Sequence, residues 1–113
     1  MIEPRQGEIY LVQWNPAIGH EFQKTRPGVV ISSNETIQKS QLVTFMAITA
    51  SGMPLDEDIL IEKNNINRLA HDSAIKVHHI SSFDRKRILQ YIGEVDQETM
   101  NAIKEYLKDH FDL

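Results

Sequence analysis

The feature that most constrains the fold is a series of short apolar runs, each ended by proline, glycine or a polar segment. Runs of this length, rich in aliphatic and aromatic residues, are typical of β-strands. They predict strands over residues 8–14, 28–32, 41–49, 58–62, 74–80 and 88–95. Residues 15–27 are predicted to form a loop and residues 34–40 a polar connection. Ser81 or Ser82 is expected to cap a short helical turn that runs through Arg87.

The C-terminal segment carries a helical pattern. Asp96 is a good N-cap residue, because its carboxylate can accept a hydrogen bond from the first turn. Apolar residues then recur at helical spacing and form one stripe: Met100, Ile103, Leu107 and Phe111. The helix is therefore expected to pack on the sheet or on a second subunit. Roughly six short strands and one terminal helix predict a mainly β chain with a small, strongly bent sheet or barrel.

Length, cysteine content and charge limit the class of protein. A chain of 113 residues suits one domain, residues 1–113. The absence of cysteine excludes a disulfide framework, thiolate metal sites and a cysteine nucleophile, and agrees with a cytoplasmic protein. No apolar segment is long enough to cross a membrane. The net charge of −4 argues against a broad basic face for duplex DNA but leaves room for a small basic pocket.

One polar loop, residues 19–27, carries an imidazole, a carboxylate, an ammonium and a guanidinium, which belong to His20, Glu21, Lys24 and Arg26. Arg26 precedes Pro27, which favours extended backbone at the mouth of the next strand. A guanidinium fixed there suits a phosphate, because its planar fork matches two phosphate oxygens. The alternative is a solvated loop whose charges face water.

A second group of polar residues lies in the strand predicted over residues 74–80. Strand alternation places Lys76 and His78 on one face, together with Ile80, and His79 on the other. Lys76 and His78 could hold a phosphate between them, and an imidazole with a pKa of about 6.5 could transfer protons at neutral pH. The alternative is a surface strand with two exposed histidines. The five histidines show no metal-ligand spacing, so neither a metal nor another cofactor is expected.

Thr49 ends the most apolar predicted strand and is followed by a small polar segment that contains Ser51. A hydroxyl at a strand end either bonds the local backbone or points at a ligand in the adjoining loop. The residues alone therefore predict a small β-rich domain with an anion pocket as its candidate site.

Taken in order, these motifs resemble the MazF/PemK (Kid) family of toxin endoribonucleases. The matching segments are residues 7–10, 15–21, 25–31, 46–51, 82–88 and 92–93. The resemblance implies an SH3-like barrel of the CcdB/PemK type with a C-terminal helix, a homodimer, and metal-independent cleavage of single-stranded RNA at short sequences. It also implies inhibition by a cognate antitoxin, whose disordered segment would lie across the active groove.

The resemblance further implies attack of a ribose 2′-OH on the adjacent phosphorus, which gives a 2′,3′-cyclic phosphate and a 5′-OH. By position, Arg26 matches the arginine that binds the phosphate, and Thr49 matches the threonine that hydrogen-bonds it. His20 matches a histidine that helps to hold the phosphate, and Glu21 a neighbouring acid that serves as base or orienting group.

The chain departs from the family at the second cluster, where an arginine and an aspartate are usual. Lys76 keeps the positive charge, and His78 replaces the carboxylate as a candidate base. The residues expected to contact RNA are Lys24, Ser51, Lys76 and His79.

Three alternatives to an active ribonuclease remain. The departures at Lys76 and His78, and at Ser81, where the family usually has a basic residue, would also suit a barrel that binds RNA or an antitoxin peptide without cutting. A CcdB-like gyrase poison would share the fold, but that family uses a C-terminal Trp-Gly-Ile tail, whereas the one tryptophan here is Trp14. A structural barrel unrelated to toxins is disfavoured by the order of the motifs.

Overall fold

The computed structural model describes residues 2–14 and 25–113, and these form a six-stranded antiparallel sheet with a C-terminal helix. The strand order is β4-β5-β3-β2-β1-β6. The elements are β1 (Glu8–Gln13), β2 (Thr25–Val30), α1 (Asn34–Lys39), β3 (Leu42–Thr49), β4 (Ile59–Ile61), β5 (Ser73–Asp84), a 3₁₀ turn (Arg85–Arg87), β6 (Ile88–Glu94) and α2 (Gln97–Phe111). The prediction of a mainly β fold with a C-terminal helix is confirmed.

The core consists of two apolar clusters on opposite faces of the sheet. Neighbouring residues alternate between them: Val29 and Met46 belong to the cluster that α2 covers, and Val30 and Phe45 belong to the other. In the described part of the chain, no helix is long and apolar enough to span a membrane.

Helix α2 begins where the sequence predicts, because Asp96 accepts a hydrogen bond of 2.8 Å from the Thr99 N–H. That hydrogen bond holds the pKa of Asp96 below its usual range. Met100 and Ile103 are buried against the sheet, and each such side chain contributes about 1.5–3 kcal/mol. Phe111 is 55% exposed, so the apolar stripe is buried in its N-terminal half and ends exposed.

The predicted polar connection over residues 34–40 is wrong, because residues Asn34–Lys39 form helix α1. Ser33 caps this helix by accepting a hydrogen bond of 3.1 Å from the Thr36 N–H. Ile37 then packs into the cluster of Phe45. A helix of less than two turns shows no apolar stripe in its sequence, which explains why the pattern did not indicate it.

The predicted loop over residues 15–27 is wrong at its end, since strand β2 already begins at Thr25. The ladder with β1 opposes Arg26 to Val12 and Pro27 to Leu11. Proline has no N–H to donate, and the ladder with β3 accordingly begins only at Gly28.

Strand β5 is longer than predicted and runs through Ser81 and Ser82 to Asp84. Neither serine caps the turn that follows. The Asp84 carboxylate does so instead, by accepting a hydrogen bond of 3.0 Å from the Lys86 N–H. The predicted cap is therefore wrong, because pairing with β3 keeps both serines extended, and the Thr44 hydroxyl lies 2.6 Å from that of Ser82.

A bulge in β5 breaks the alternation that the sequence suggested. The register against β3 passes from Ala47–Lys76 to Met46–Ile80, so residues 77–79 have no partner on β3. The bulge returns Ile80 to the cluster under α2, whereas strict alternation placed it on the same face as Lys76. The predicted common face over residues 74–80 is therefore wrong beyond Lys76.

Candidate active site

Arg26 and Thr49 lie on the neighbouring strands β2 and β3, each two residues beyond the last pair of their ladder, Gly28–Ala47. Both side chains share the face opposite the α2 cluster, because Val29, next to Gly28, and Ile48, next to Thr49, point to that cluster. The two groups expected to hold a phosphate thus lie on one face of the sheet.

A cavity of about 470 Å³ opens beside Thr49 at the end of β3. The ladders extend the row from Thr49 to Ala74 on β5 and to Leu60 on β4. Polar and charged residues complete the lining: Ser51, Glu62, Asp72, Ser73 and Lys76. The cavity therefore continues the face that carries Arg26 and Thr49.

The hydroxyl of Thr49 combines the two roles that its position in the sequence left open. It accepts a hydrogen bond of 3.2 Å from the Ser51 N–H and lies 3.1 Å from the Ser51 hydroxyl. It also lines the cavity. The local turn thus fixes the Thr49 oxygen at the rim of the cavity.

Lys76 lines the same cavity, but its charge is already paired. Its Nζ lies 2.5 Å from Asp58 Oδ2, and the Asp58 side chain is fully buried. Burial on its own raises the pKa of Asp58, but the hydrogen bonds from Lys76 and from the Leu55 N–H outweigh it and hold that pKa below its usual 3.8. Lys76 is therefore held in a neutral pair and does not present a free charge.

His78 lies outside the cavity lining and contacts α2 instead. Its Nε2 lies 2.8 Å from Glu57 Oε1, and its Nδ1 lies 3.0 Å from the Tyr106 hydroxyl. That hydroxyl also lies 3.2 Å from His110 Nδ1. Since a carboxylate only accepts, Nε2–H donates to Glu57. In a neutral His78 the Nδ1 atom then accepts from the Tyr106 hydroxyl, whose oxygen accepts from His110 Nδ1–H. Both ring nitrogens of His78 are thus engaged.

Burial raises the pKa of Tyr106, and the nearby Glu57 and Asp58 carboxylates raise it further. The phenol therefore keeps its proton at neutral pH and remains able to donate to His78.

The structure brings together Thr49, Ser51 and Lys76 at the cavity and separates His78 from them. Arg26 lies on the same face of the sheet as Thr49, on the neighbouring strand. His79 is exposed in the bulge. The three loop residues proposed for the site, His20, Glu21 and Lys24, lie outside the described residues. Within residues 2–14 and 25–113, no three metal-ligating side chains are grouped closely enough to hold a metal ion.

The acidic residues around this site were not predicted from the sequence. Glu57 and Asp58 directly precede β4, and Glu62 and Asp72 flank the segment that joins β4 to β5. No sequence pattern indicates Asp58, because it meets Lys76 only through the pairing of β4 with β5.

Comparison with known proteins identifies the family. The chain belongs to the PemK-like, MazF-like toxins of type II toxin–antitoxin systems, whose family model matches residues 5–111. It is 27% identical over 114 residues to "Endoribonuclease MazF9" of Mycobacterium tuberculosis, a match that covers 96% of this chain and 97% of that protein.

Solved structures share the fold. MazF from Deinococcus radiodurans superposes with a TM-score of 0.81 at 17% identity, over 100% of both chains. A mycobacterial endoribonuclease in complex with its cognate antitoxin superposes with a TM-score of 0.74 at 19% identity, over 100% of this chain and 97% of that chain. The predicted family, fold and class of enzyme are confirmed, and the alternatives receive no support.

Proposed function

We propose that this toxin cleaves single-stranded RNA at short sequences without a metal ion, by attack of a ribose 2′-OH on the adjacent phosphorus. The products would be a 2′,3′-cyclic phosphate and a 5′-OH. The observation that carries the proposal is that Arg26 and Thr49 share one face of the sheet on neighbouring strands, with a cavity beside Thr49. Similarity to a protein named as an endoribonuclease supports it.

Arg26 and Thr49 supply the stabilisation that this reaction needs. The planar guanidinium of Arg26 binds two non-bridging phosphate oxygens and offsets the charge that grows on the phosphorane. The Thr49 oxygen accepts from the Ser51 N–H, and when the Ser51 hydroxyl also donates to it, the Thr49 hydrogen can turn toward the phosphate. Both groups are held by strands, which keeps their geometry constant during the reaction.

Proton transfer is proposed for residues that precede β2 in the sequence, with Glu21 as base or orienting group and His20 as a further phosphate ligand. His78 is the other candidate base, but it could act only after one of its two contacts opens, because both ring nitrogens are bonded. Lys24 is proposed to contact the RNA backbone.

Three further residues are proposed to contact RNA. Ser51 lines the cavity beside Thr49, and His79 is exposed in the bulge of β5. Lys76 contributes as a hydrogen-bond donor within its neutral pair rather than as a free cation.

We further propose that residues 1–113 act as one domain, in the cytoplasm, as a homodimer that a cognate antitoxin inhibits. Two-fold dimers are the commonest oligomers, and half-exposed apolar residues such as Leu89 and Tyr91 are available to bury. A solved structure with the same fold is a complex with its antitoxin. A disordered acidic segment could occupy the phosphate-binding face by imitating its charge.

The test is cleavage of a long single-stranded RNA in excess EDTA, followed by mapping of the fragment ends. We expect discrete cuts with 5′-hydroxyl ends, reduced about 10²-fold or more in Arg26→Ala. The matched control is Arg5→Ala, which removes an exposed arginine elsewhere on the chain and should cut like the parent. A folded parent that cuts nothing, or an Arg26→Ala variant that cuts at the parent's rate, would contradict the proposal.

A further inference from the structure

The cavity beside Thr49 has no free positive charge among its described lining residues. Its one cation, Lys76, is neutralised by the buried Asp58. The two other ionisable side chains of the lining are carboxylates, those of Glu62 and Asp72. A phosphate would be repelled there, whereas the adjacent Arg26 would attract it. The cavity and the phosphate site therefore suit different parts of a nucleotide.

Both carboxylates stand on a wall that the fold holds in place. Asp72 accepts a hydrogen bond of 3.0 Å from the Lys63 N–H, which ties together the two ends of the segment between β4 and β5. Asn67, which is 2% exposed, donates a hydrogen bond of 2.8 Å to the Glu62 carbonyl. This segment packs directly on Gly93 of β6, where a Cβ would lie 2.4 Å from the Asn67 carbonyl oxygen. The wall is thus formed before any ligand binds.

The rest of the cavity is mostly small or apolar. Ala50, Pro54, Leu60 and Ala74 contribute to its lining, and Leu60 is 71% exposed. Apolar side chains beside a few fixed polar groups are typical of pockets for flat organic ligands. A cavity of about 470 Å³ has room for a nucleobase.

We propose that this cavity is a specificity pocket for a base next to the cleaved phosphate, and that Glu62 and Asp72 select a base with an exocyclic amino group over uracil. Carboxylates only accept hydrogen bonds. Adenine, cytosine and guanine each offer an exocyclic amino group. Uracil has none, and its single N3–H donor lies between two carbonyl oxygens that the carboxylates repel. The proposal rests on the proposed function, because it needs the phosphate to lie at Arg26 and Thr49.

The first test is cleavage of a randomised single-stranded RNA library by the parent, Glu62→Gln and Asp72→Asn. The parent should cut with uracil depleted about tenfold or more at one position beside the cut. Each variant should relax that depletion about 5- to 100-fold, because an amide also offers donors to uracil carbonyls. The Asp72→Asn variant keeps the side-chain oxygen that accepts from the Lys63 N–H. The matched control is Glu105→Gln at an exposed position on α2, which should cut with the parental base pattern.

Binding provides a second test that does not depend on cleavage. Short oligonucleotides of adenine or cytosine should bind the parent at least fivefold more tightly than uracil oligonucleotides, and Glu62→Gln should remove the difference. Cutting with the same base pattern in the parent and both variants would overturn the pocket and leave the ribonuclease intact. A parent that cuts no RNA but still binds with this preference would contradict the proposed function and support the pocket. Equal binding of all these oligonucleotides by the parent would overturn the proposed specificity pocket.

Discussion

Two adjacent acidic residues pair with two nearby residues of β5, and the two pairs differ mainly in burial. Asp58 and Lys76 lie 2.5 Å apart with side chains that are 0% and 15% exposed. Glu57 and His78 lie 2.8 Å apart with side chains that are 61% and 38% exposed. The first pair contributes to the stability of the fold, because removing one partner leaves the other as a buried charge without an opposite charge beside it. The second is screened by water and contributes little.

The difference separates a structural role from a functional one. Lys76 cannot leave Asp58 without a large cost, so its position in the cavity wall is fixed. His78 can exchange Glu57 for water or a ligand at small cost, because both groups reach solvent. The sequence pattern grouped Lys76 and His78 as one phosphate clamp. Burial instead makes Lys76 a fixed lining residue of the cavity and leaves His78 able to change its partner.

The largest expected effect is that of Asp58→Ala. It leaves the Lys76 ammonium largely buried without its partner and removes the acceptor of the Leu55 N–H, so unfolding free energy should fall by about 3 kcal/mol. Glu57→Ala, the matched change in the exposed pair, should cost less than about 1 kcal/mol. Urea unfolding at neutral pH measures both. Equal losses would contradict the comparison.

A smaller effect is expected from acid. The folded pKa of Asp58 is below its usual 3.8, so its contribution to stability is complete above 3.8 and is lost as the pH falls through the lower folded value. The neutral variant Asp58→Asn has no such contribution. The gap in unfolding free energy between parent and variant should therefore narrow in acid. Asp96, whose pKa is also lowered, contributes equally to both proteins. A gap that stays constant down to the acid transition would refute this account.

The smallest effect is expected at the exposed pair. Glu57→Gln keeps the acceptor for His78 but removes the charge, and should change the unfolding free energy by no more than about 0.5 kcal/mol. Thermal unfolding of the parent and the variant measures this difference in stability. Repeating it at low and high salt shows whether any extra stability of the parent disappears when salt screens the exposed charges. A loss above about 1 kcal/mol would mean that this pair behaves as a buried one.

The sequence was sufficient for the features that depend on local pattern. Strand positions followed from apolar runs, and the start of α2 followed from Asp96. Arg26 and Thr49 were chosen by chemistry and resemblance, and the pairing of β2 with β3 then places them on one face of neighbouring strands.

What the sequence could not supply comes from contacts between distant segments. The bulge at residues 77–79 is a property of the pairing between β3 and β5. The Lys76–Asp58 pair joins residues 18 apart through the β4–β5 register. Arg85 likewise donates to the Ile37 carbonyl of α1, a residue 48 positions earlier in the chain.

The most direct test of the central claim is a double-mutant cycle on Arg26 and Thr49, with kcat/KM measured on one RNA substrate. Arg26→Ala and Thr49→Ala should each lower kcat/KM about 10²-fold or more, because each removes a contact to the same phosphate. The double variant should lose far less than the product of the two single effects, since groups that act as a unit are not additive. Single effects that simply multiply, or a Thr49→Ala variant as active as the parent, would contradict a shared site.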